Sequence, residues 1–131
     1  MSFGRDLGAV LVGGVIGTGA RLAIDAAIPH GYGHFPLSTL IINTAGAFAL
    51  AVLVARVWPT APSWLRAGLG AGILGSFTTF SAVAVAIIPL TTAGRGMTAL
   101  AYLGLTLLLG LGAAWLGLVA GRRAPAAGGA E

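Results

Sequence analysis

The chain has 131 residues, of which 57% are hydrophobic and 8% are charged, and its formal net charge is +4. A soluble domain of this length carries roughly 25% charged residues, so this composition excludes an ordinary water-exposed surface. The arginines are dispersed along the chain, which excludes a clustered nucleic-acid-binding patch. The absence of cysteine excludes disulfides, thiolate metal sites and cysteine nucleophiles.

Four apolar stretches follow one another along the chain, and each is long enough to cross a bilayer as a helix, which takes about 20 residues. They predict an all-α integral membrane protein in which residues 1–131 form a single four-helix transmembrane domain. The predicted spans are 7–28, 37–58, 65–90 and 97–120. Residues 121–131, rich in Gly, Ala and Pro, are predicted to form a disordered tail.

The first span contains charged residues and closely spaced glycines. Arg21 and Asp25 have i, i+4 spacing and could pair along one helix face. Gly13 and Gly17 have the spacing that lets two helices approach closely. A cleaved signal peptide is the alternative, but the stretch is long for one, and it carries two charges inside.

The break after the first span carries two histidines, His30 and His34, also at i, i+4 spacing. The glycines and tyrosine between them disfavour a helix that would present both rings to one metal ion. No third ligand lies nearby in the sequence, so we do not predict a metal site here.

The second span contains one strongly polar side chain, Asn43, about a third of the way along. An amide in hydrocarbon is costly unless it faces protein or water, so it is a candidate functional group. Two interpretations stay open. Asn43 either joins helices by hydrogen bonds or offers its two N–H donors to an anion.

The third span is interrupted near its middle. Gly75 is followed by a run of small or polar residues around a phenylalanine, Ser76, Phe77, Thr78, Thr79, Phe80 and Ser81. Such a run in the middle of a membrane predicts a helix break, which is tolerated only where the freed backbone groups meet protein, water or ions. The segment Gly70 to Gly75 also matches a dinucleotide-binding fingerprint, but neither the preceding strand nor the following acidic residue is present.

Together these residues resemble the Fluc fluoride channels, also called CrcB proteins. The resemblance covers roughly the first two thirds of the chain. It rests on Gly13, Gly14, Gly17 and Arg21 in the first span, on Ser38, Thr39, Leu40, Ile42, Asn43, Gly46 and Phe48 in the second, and on Gly72, Gly75, Thr78, Thr79, Phe80 and Ser81 in the third. The fourth span fits by length and hydrophobicity alone.

The resemblance implies a passive, fluoride-specific channel in the cell membrane rather than an enzyme, built as an antiparallel (dual-topology type) dimer. It implies fluoride pathways between two oppositely inserted subunits, with a structural sodium ion at the centre. The implied pathway residues here are Asn43, Phe80, Ser81, Thr79 and Arg21. The backbone carbonyls of Gly75 and Thr78 would hold the sodium ion, consistent with the preference of hard cations for oxygen ligands.

Two features favour pairing with a different homologous chain over pairing with a second copy. Ala82 and Val83 stand where the family usually has a Thr and a second Phe, so each copy lacks one hydroxyl and one aromatic ring. Five arginines fall on the side of the termini and only Arg95 falls on the other side, which predicts one fixed orientation with cytoplasmic termini. The five are Arg5, Arg56, Arg66, Arg122 and Arg123. A homodimer that forms despite this bias stays an alternative.

Two other functional classes are open. A small proton-coupled multidrug exporter also has four helices, but it needs a carboxylate within the membrane, and the only candidate, Asp25, lies late in its span beside Arg21. An intramembrane enzyme needs a nucleophile with a base, and Ser81 has no histidine within any span.

Overall fold

The computed structural model describes residues 2–122, and this part of the chain folds entirely as helices, with no strand. The predicted disordered tail lies outside the described residues from position 123 onwards. In chain order the elements are α1 (Phe3–Ala27), α2 (Leu37–Arg56), α3 (Ser63–Arg66), a π-helix (Ala67–Leu74), α4 (Gly75–Phe77), α5 (Phe80–Thr92) and α6 (Gly96–Gly121).

The four predicted spans are confirmed. Helices Phe3–Ala27, Leu37–Arg56, Ser63–Thr92 and Gly96–Gly121 are each long and apolar enough to cross a membrane. The first helix begins four residues before the predicted Leu7, because its polar first turn can lie in the interfacial region, where backbone and charge meet water. Gly121, predicted to belong to the tail, is the last residue of α6.

Glycines set the closest helix contacts. A Cβ at Gly13 would overlap the carbonyl oxygen of Gly68, and one at Gly17 would overlap that of Ile73. On the other side of the bundle, a Cβ at Gly117 would lie 2.7 Å from the Cβ of Ala51. Without a hydrophobic driving force inside lipid, such backbone proximity provides the van der Waals contact that holds helices together. The paired glycines therefore act within one subunit.

The packing order differs from the chain order. α1 packs mainly against the π-helix and α4, whereas α2 packs mainly against α6. Within the described chain, α1 does not contact α5 or α6. The first two helices are consequently each matched to a helix from the second half of the chain rather than to one another.

One buried cluster joins α2, α5 and α6, and its members are Leu40, Val83, Leu90, Ala99 and Tyr102. Phe35, just before α2, meets the Tyr102 ring edge to face, with centroids 5.4 Å apart and planes at 88°. Such an arrangement is favoured by the ring quadrupoles. The cluster fixes the position of α5 against α2 and α6, next to the break in the third span.

Side-chain bonds tie the connecting loops together at both ends of the bundle. The Tyr32 hydroxyl lies 3.1 Å from Thr92 Oγ1, and Arg95 donates to the carbonyl of Gly33 at 3.2 Å. Gly33 has a φ of +73°, a conformation in which a side chain would be strained. At the opposite end, Ser63 Oγ donates to Asp6 Oδ1 at 3.1 Å. The loops thus hold the two halves of the chain in register.

Candidate functional site at the break in the third span

The predicted break in the third span is confirmed, and two residues form it. α4 ends at Phe77, and Thr78 and Thr79 have extended backbones, with φ/ψ of −83°/149° and −153°/121°. Helix α5 then begins, capped by the Thr79 hydroxyl, which accepts the Ala82 N–H at 3.3 Å. Threonine is a good N-cap because its oxygen replaces a missing helical acceptor.

Asn43 binds the broken backbone from the neighbouring span. Its Nδ2 donates to the carbonyl of Thr79 at 3.0 Å, and its Oδ1 accepts the Thr79 N–H at 2.8 Å. The side-chain amide therefore satisfies both backbone polar groups of Thr79, which would otherwise be costly to leave unpaired in hydrocarbon. One N–H of the Asn43 amide remains beyond this pair of bonds.

Thr78 is seated between two helices. Its methyl group lies where a Cβ at Gly46 would overlap it, so α2 can approach only because position 46 lacks a side chain. Its hydroxyl and its N–H both donate to the Leu74 carbonyl, at 2.8 and 3.0 Å. Among the hydrogen bonds of residues 2–122, none is made to the carbonyl oxygen of Gly75 or of Thr78. These two predicted sodium ligands are free to accept.

A cavity of about 310 Å³ opens beside the break. It gathers four of the predicted site residues, Asn43, Thr78, Thr79 and Phe80, with Thr106 from α6. The remaining wall residues are apolar or glycine, Gly46, Ala47, Leu50, Leu74, Val83 and Leu107. The arrangement is an apolar pocket with a few convergent polar groups, which is typical of a binding site.

Phe80 and Ser81 lie at the first turn of α5, on the outside of the subunit. Phe80 is 72% exposed, and the Ser81 hydroxyl lies 2.9 Å from Thr79 Oγ1. Within the described chain, the N–H groups of Phe80 and Ser81 have no acceptor. Free N–H groups and the helix dipole make the start of a helix attractive to anions. The break therefore presents donors in the middle of the membrane.

Arg21 is not brought to this cavity. It lies on α1, and its Nε is buried without a hydrogen-bond partner among the described residues. The i, i+4 spacing suggested that Arg21 pairs with Asp25, but no ion pair joins these two side chains among the described residues. Arg21 is thus a half-buried cation that does not line the cavity beside the break.

Two polar residues of the fourth span were missed from the sequence. The hydroxyls of Tyr102 and Thr106 are buried and form no regular hydrogen bond within residues 2–122, although they lie one helical turn apart and Thr39 of α2 is also beside the Tyr102 hydroxyl. Ser38 Oγ on α2 shares this property. The only available signal was a threonine among leucines in a span that otherwise showed no pattern.

Val83 occupies a different environment from Phe80. It is 1% exposed and belongs to the buried cluster around Tyr102, although it also contributes to the wall of the cavity. The smaller side chain at this position is enclosed by its own subunit, whereas the Phe80 ring is uncovered.

The histidines after the first span lie apart from the break. His30 and His34 line a separate pocket with Tyr32 and Pro89. Within residues 2–122, no group of three or more His, Cys, Asp or Glu residues is placed to hold a metal ion.

Comparisons with known proteins give one consistent result. Residues 8–118 match the family model described as "CrcB-like protein, Camphor Resistance (CrcB)". A protein of Renibacterium salmoninarum named "Fluoride-specific ion channel FluC" is 40% identical over 114 residues, covering 80% of this chain and 90% of that protein. A protein of the same name from Rhodospirillum centenum is 38% identical over 122 residues, covering 90% of this chain and 96% of that protein.

Proposed function

The chain belongs to the CrcB-like family, and from this membership we propose that it is a fluoride-specific channel that lets fluoride leave the cell passively and lowers cytoplasmic fluoride. The relatives are named as ion channels, so the prediction that the chain is not an enzyme is confirmed by its family. The observation that best supports fluoride passage is the start of α5, where uncommitted N–H groups lie beside an uncovered phenylalanine ring.

The chemistry of fluoride fits these groups. Fluoride is small and strongly hydrated, so a pore must replace its water with hydrogen-bond donors or the positive edges of aromatic rings, without binding it too tightly. Phe80 offers a ring edge, and Ser81 and Thr106 offer hydroxyls. We assign the fluoride pathway to Asn43, Thr79, Phe80 and Ser81, with Thr106 on the opposite wall.

Asn43 has two roles in this proposal. Its amide fixes the extended backbone of Thr79, which positions the first turn of α5. Its remaining N–H can donate to an anion in the cavity. Both interpretations left open by the sequence, helix joining and anion binding, are thereby assigned to the same amide group.

Arg21 acts at a distance from the break. A half-buried guanidinium whose Nε has no partner among residues 2–122 raises the local positive potential and attracts anions, because solvent screens it only in part. We propose that it raises the fluoride concentration at one mouth of the pathway.

We propose that the sodium ion is held by the carbonyl oxygens of Gly75 and Thr78. Both are backbone oxygens, the ligand type that hard cations prefer, and the hydrogen bonds of the subunit leave both free. When bound, the ion supplies positive charge where the first half of the third span ends. The negative end of that helical segment is otherwise unneutralised.

A second subunit in the opposite orientation is proposed because the break is uncovered. Gly75, Phe80 and Ser81 are all exposed in the single chain, although they lie in mid-span. Non-helical backbone facing lipid is not tolerated, so protein must cover it. An antiparallel partner places an equivalent break opposite this one and encloses both pathways and the sodium ion.

The arginine distribution favours a homologous partner chain over a second copy. Short loops rich in arginine stay in the cytoplasm. The excess of five arginines over one therefore favours a single orientation with both termini on the cytoplasmic side of the cell membrane. The chain has no cysteine, so Ser2→Cys and Gly128→Cys variants can each carry a single reporter. Labelling of both from the cytoplasmic side supports this orientation, and labelling from opposite sides refutes four crossings.

The deciding experiment is fluoride efflux from loaded liposomes that contain the purified chain. Passive, fluoride-selective efflux is the expected result for a channel, either with this chain alone or with a co-expressed homologue of opposite orientation. A proton-coupled exporter or an enzyme gives none. Robust efflux from this chain alone, as an antiparallel homodimer, would overturn the heterodimer while leaving the channel in place.

A further inference from the structure

A second feature lies along α1 and shares no lining residue with the cavity beside the break. A groove begins at Arg5 and runs along α1 against the start of the third span; we name it the α1–α3 groove. Its mouth is lined by Arg5, Gly8, Ala9, Val12 and Trp64. It continues into a crevice of about 180 Å³ whose further walls are Gly13, Ile16, Leu65, Gly68, Leu69 and Ile73.

The mouth of the groove carries one positive charge in a fixed place. The Arg5 guanidinium carbon lies 5.6 Å from the centroid of the Trp64 ring, within the range of a cation–π interaction. The nearest carboxylate in sequence, Asp6, accepts a hydrogen bond from Ser63 and forms no ion pair with Arg5. Arg5 is exposed and held by Trp64, and no carboxylate of residues 2–122 forms an ion pair with it.

The floor of the groove is bare backbone, because Gly8 has no side chain and no atom lies within 4 Å of the place where a Cβ would stand. The walls below it are apolar and uncovered, with Val12 63% and Ile16 53% exposed. Trp64 indicates how deep the mouth of the groove lies in the bilayer, because tryptophan favours the boundary between headgroups and hydrocarbon. The Arg5 cation therefore lies at the headgroup boundary, above the open apolar part of the α1–α3 groove.

We propose that the α1–α3 groove binds one anionic phospholipid, with the phosphate at Arg5 and an acyl chain in the crevice below Trp64. The charge of Arg5 complements an anionic headgroup, and the apolar crevice complements an acyl chain. A second copy of the chain is the less suitable occupant. The break that needs a partner is flanked by Gly75, Phe80 and Ser81, and none of these residues lines the groove.

Quenching of Trp64 fluorescence by brominated lipids tests this site. In a background with Trp58→Phe and Trp115→Phe, Trp64 is the sole tryptophan. The protein is reconstituted into vesicles in which phosphatidylglycerol or phosphatidylcholine carries dibrominated acyl chains. We expect about fivefold preference for phosphatidylglycerol, since one basic residue near a membrane surface contributes about that factor.

Two variants separate a built site from general attraction to a positive surface. Arg5→Gln should reduce the preference to about one, while Arg122→Gln, which removes the same charge at the end of α6, should leave it near fivefold. Gly8→Leu should weaken quenching by both lipids, because no atom lies within 4 Å of its Cβ position and the side chain then occupies the mouth of the groove.

Each of the following results on lipid preference overturns the proposal: no preference in the starting protein, a preference that survives Arg5→Gln, or equal losses of preference in Arg5→Gln and Arg122→Gln. Absence of quenching by either lipid also overturns it, because the groove is then covered by protein. Quenching of Trp64 does not depend on fluoride efflux. The lipid-site proposal and the proposed channel function can therefore fail independently of one another.

Discussion

The side-chain amide of Asn43 forms two hydrogen bonds with the backbone of Thr79, 36 positions further along the chain, at 3.0 and 2.8 Å. This pairing makes an interruption of the third span compatible with its place in the membrane. It also means that the pathway proposed here rests on a structural bond, so variants at Asn43 change stability as well as conduction.

Replacing Asn43 with leucine should destabilise the protein strongly. It leaves the N–H and the carbonyl of Thr79 without partners, and each unpaired buried group costs about 1–3 kcal/mol. We expect a clear fall in the melting temperature of the purified protein in detergent. Thr44→Val is the matched control, because the Thr44 hydroxyl has no partner to lose. Equal melting temperatures for the two variants would contradict the bracing role.

Replacing Phe80 with isoleucine should abolish most fluoride efflux while the protein stays folded and dimeric. The ring is 72% exposed in the subunit, so its loss removes little packing but removes the aromatic edge. Efflux from fluoride-loaded liposomes is the measurement, with the confirmed partner chain present where one is needed. Phe48→Ile, which changes a ring in a different groove, should conduct normally. Normal conduction by Phe80→Ile shows that the pathway lies elsewhere.

Replacing Thr106 with valine should slow fluoride efflux at least about tenfold, a loss that corresponds to about 1.4 kcal/mol. Valine has nearly the shape of threonine but lacks the hydroxyl. Because Thr106 Oγ1 is buried without a regular hydrogen bond within residues 2–122 and has only the Tyr102 hydroxyl beside it, stability should change little. Thr44→Val removes another unpartnered hydroxyl outside the cavity and should leave efflux intact. Full efflux from Thr106→Val would show that Thr106 on α6 does not line the fluoride pathway.

Replacing Gly17 with alanine should lower stability by a few kcal/mol, because the new Cβ overlaps the Ile73 carbonyl and forces α1 away from the π-helix. Gly19→Ala on the same helix is the control, since no atom lies within 4 Å of its Cβ position. Thermal unfolding in detergent measures both. A Gly17→Ala variant as stable as Gly19→Ala would show that the two helices are not closely packed.

Removing sodium should stop fluoride efflux, whereas Thr78→Val should retain most of it. Backbone carbonyls hold the ion in this proposal, and valine keeps the methyl group that packs at Gly46 and loses only the hydroxyl bond to Leu74. The measurement is efflux after long exchange of sodium for a bulky organic cation, followed by sodium re-addition as the control. Undiminished efflux after complete exchange would rule out a functional ion at Gly75 and Thr78.

The sequence was sufficient to predict the four spans and the break, because both depend on local composition. Apolar length identifies a span, and Thr78 and Thr79 after Gly75 identify a weak helix. It was not sufficient for the partner of Asn43, since a side-chain bond across 36 residues depends on how α2 packs against the third span. The π-helix Ala67–Leu74 was also missed, because no residue pattern announces a widened turn within a glycine-rich helix.

The sequence did not predict the surroundings of position 83. The absence of a second phenylalanine there leaves each copy without one aromatic ring, and Val83 both lines the cavity beside the break and packs with Leu40 and Tyr102. Whether a side chain faces the core or the partner depends on the rotation of α5, which the break and its Thr79 cap determine. The residue type at position 83 does not by itself predict how α5 is rotated.

The matching of α1 and α2 to helices of the second half has a consequence for synthesis in the cell. The first hairpin enters the bilayer before its principal neighbours exist, and Asn43 meets lipid without the backbone of Thr79 to receive its amide. A nascent chain that stops before Gly96 contains α2 but not α6. Packing of α2 is therefore completed only when the final helix inserts, whereas the Asn43 amide has its partner as soon as Thr79 has been made.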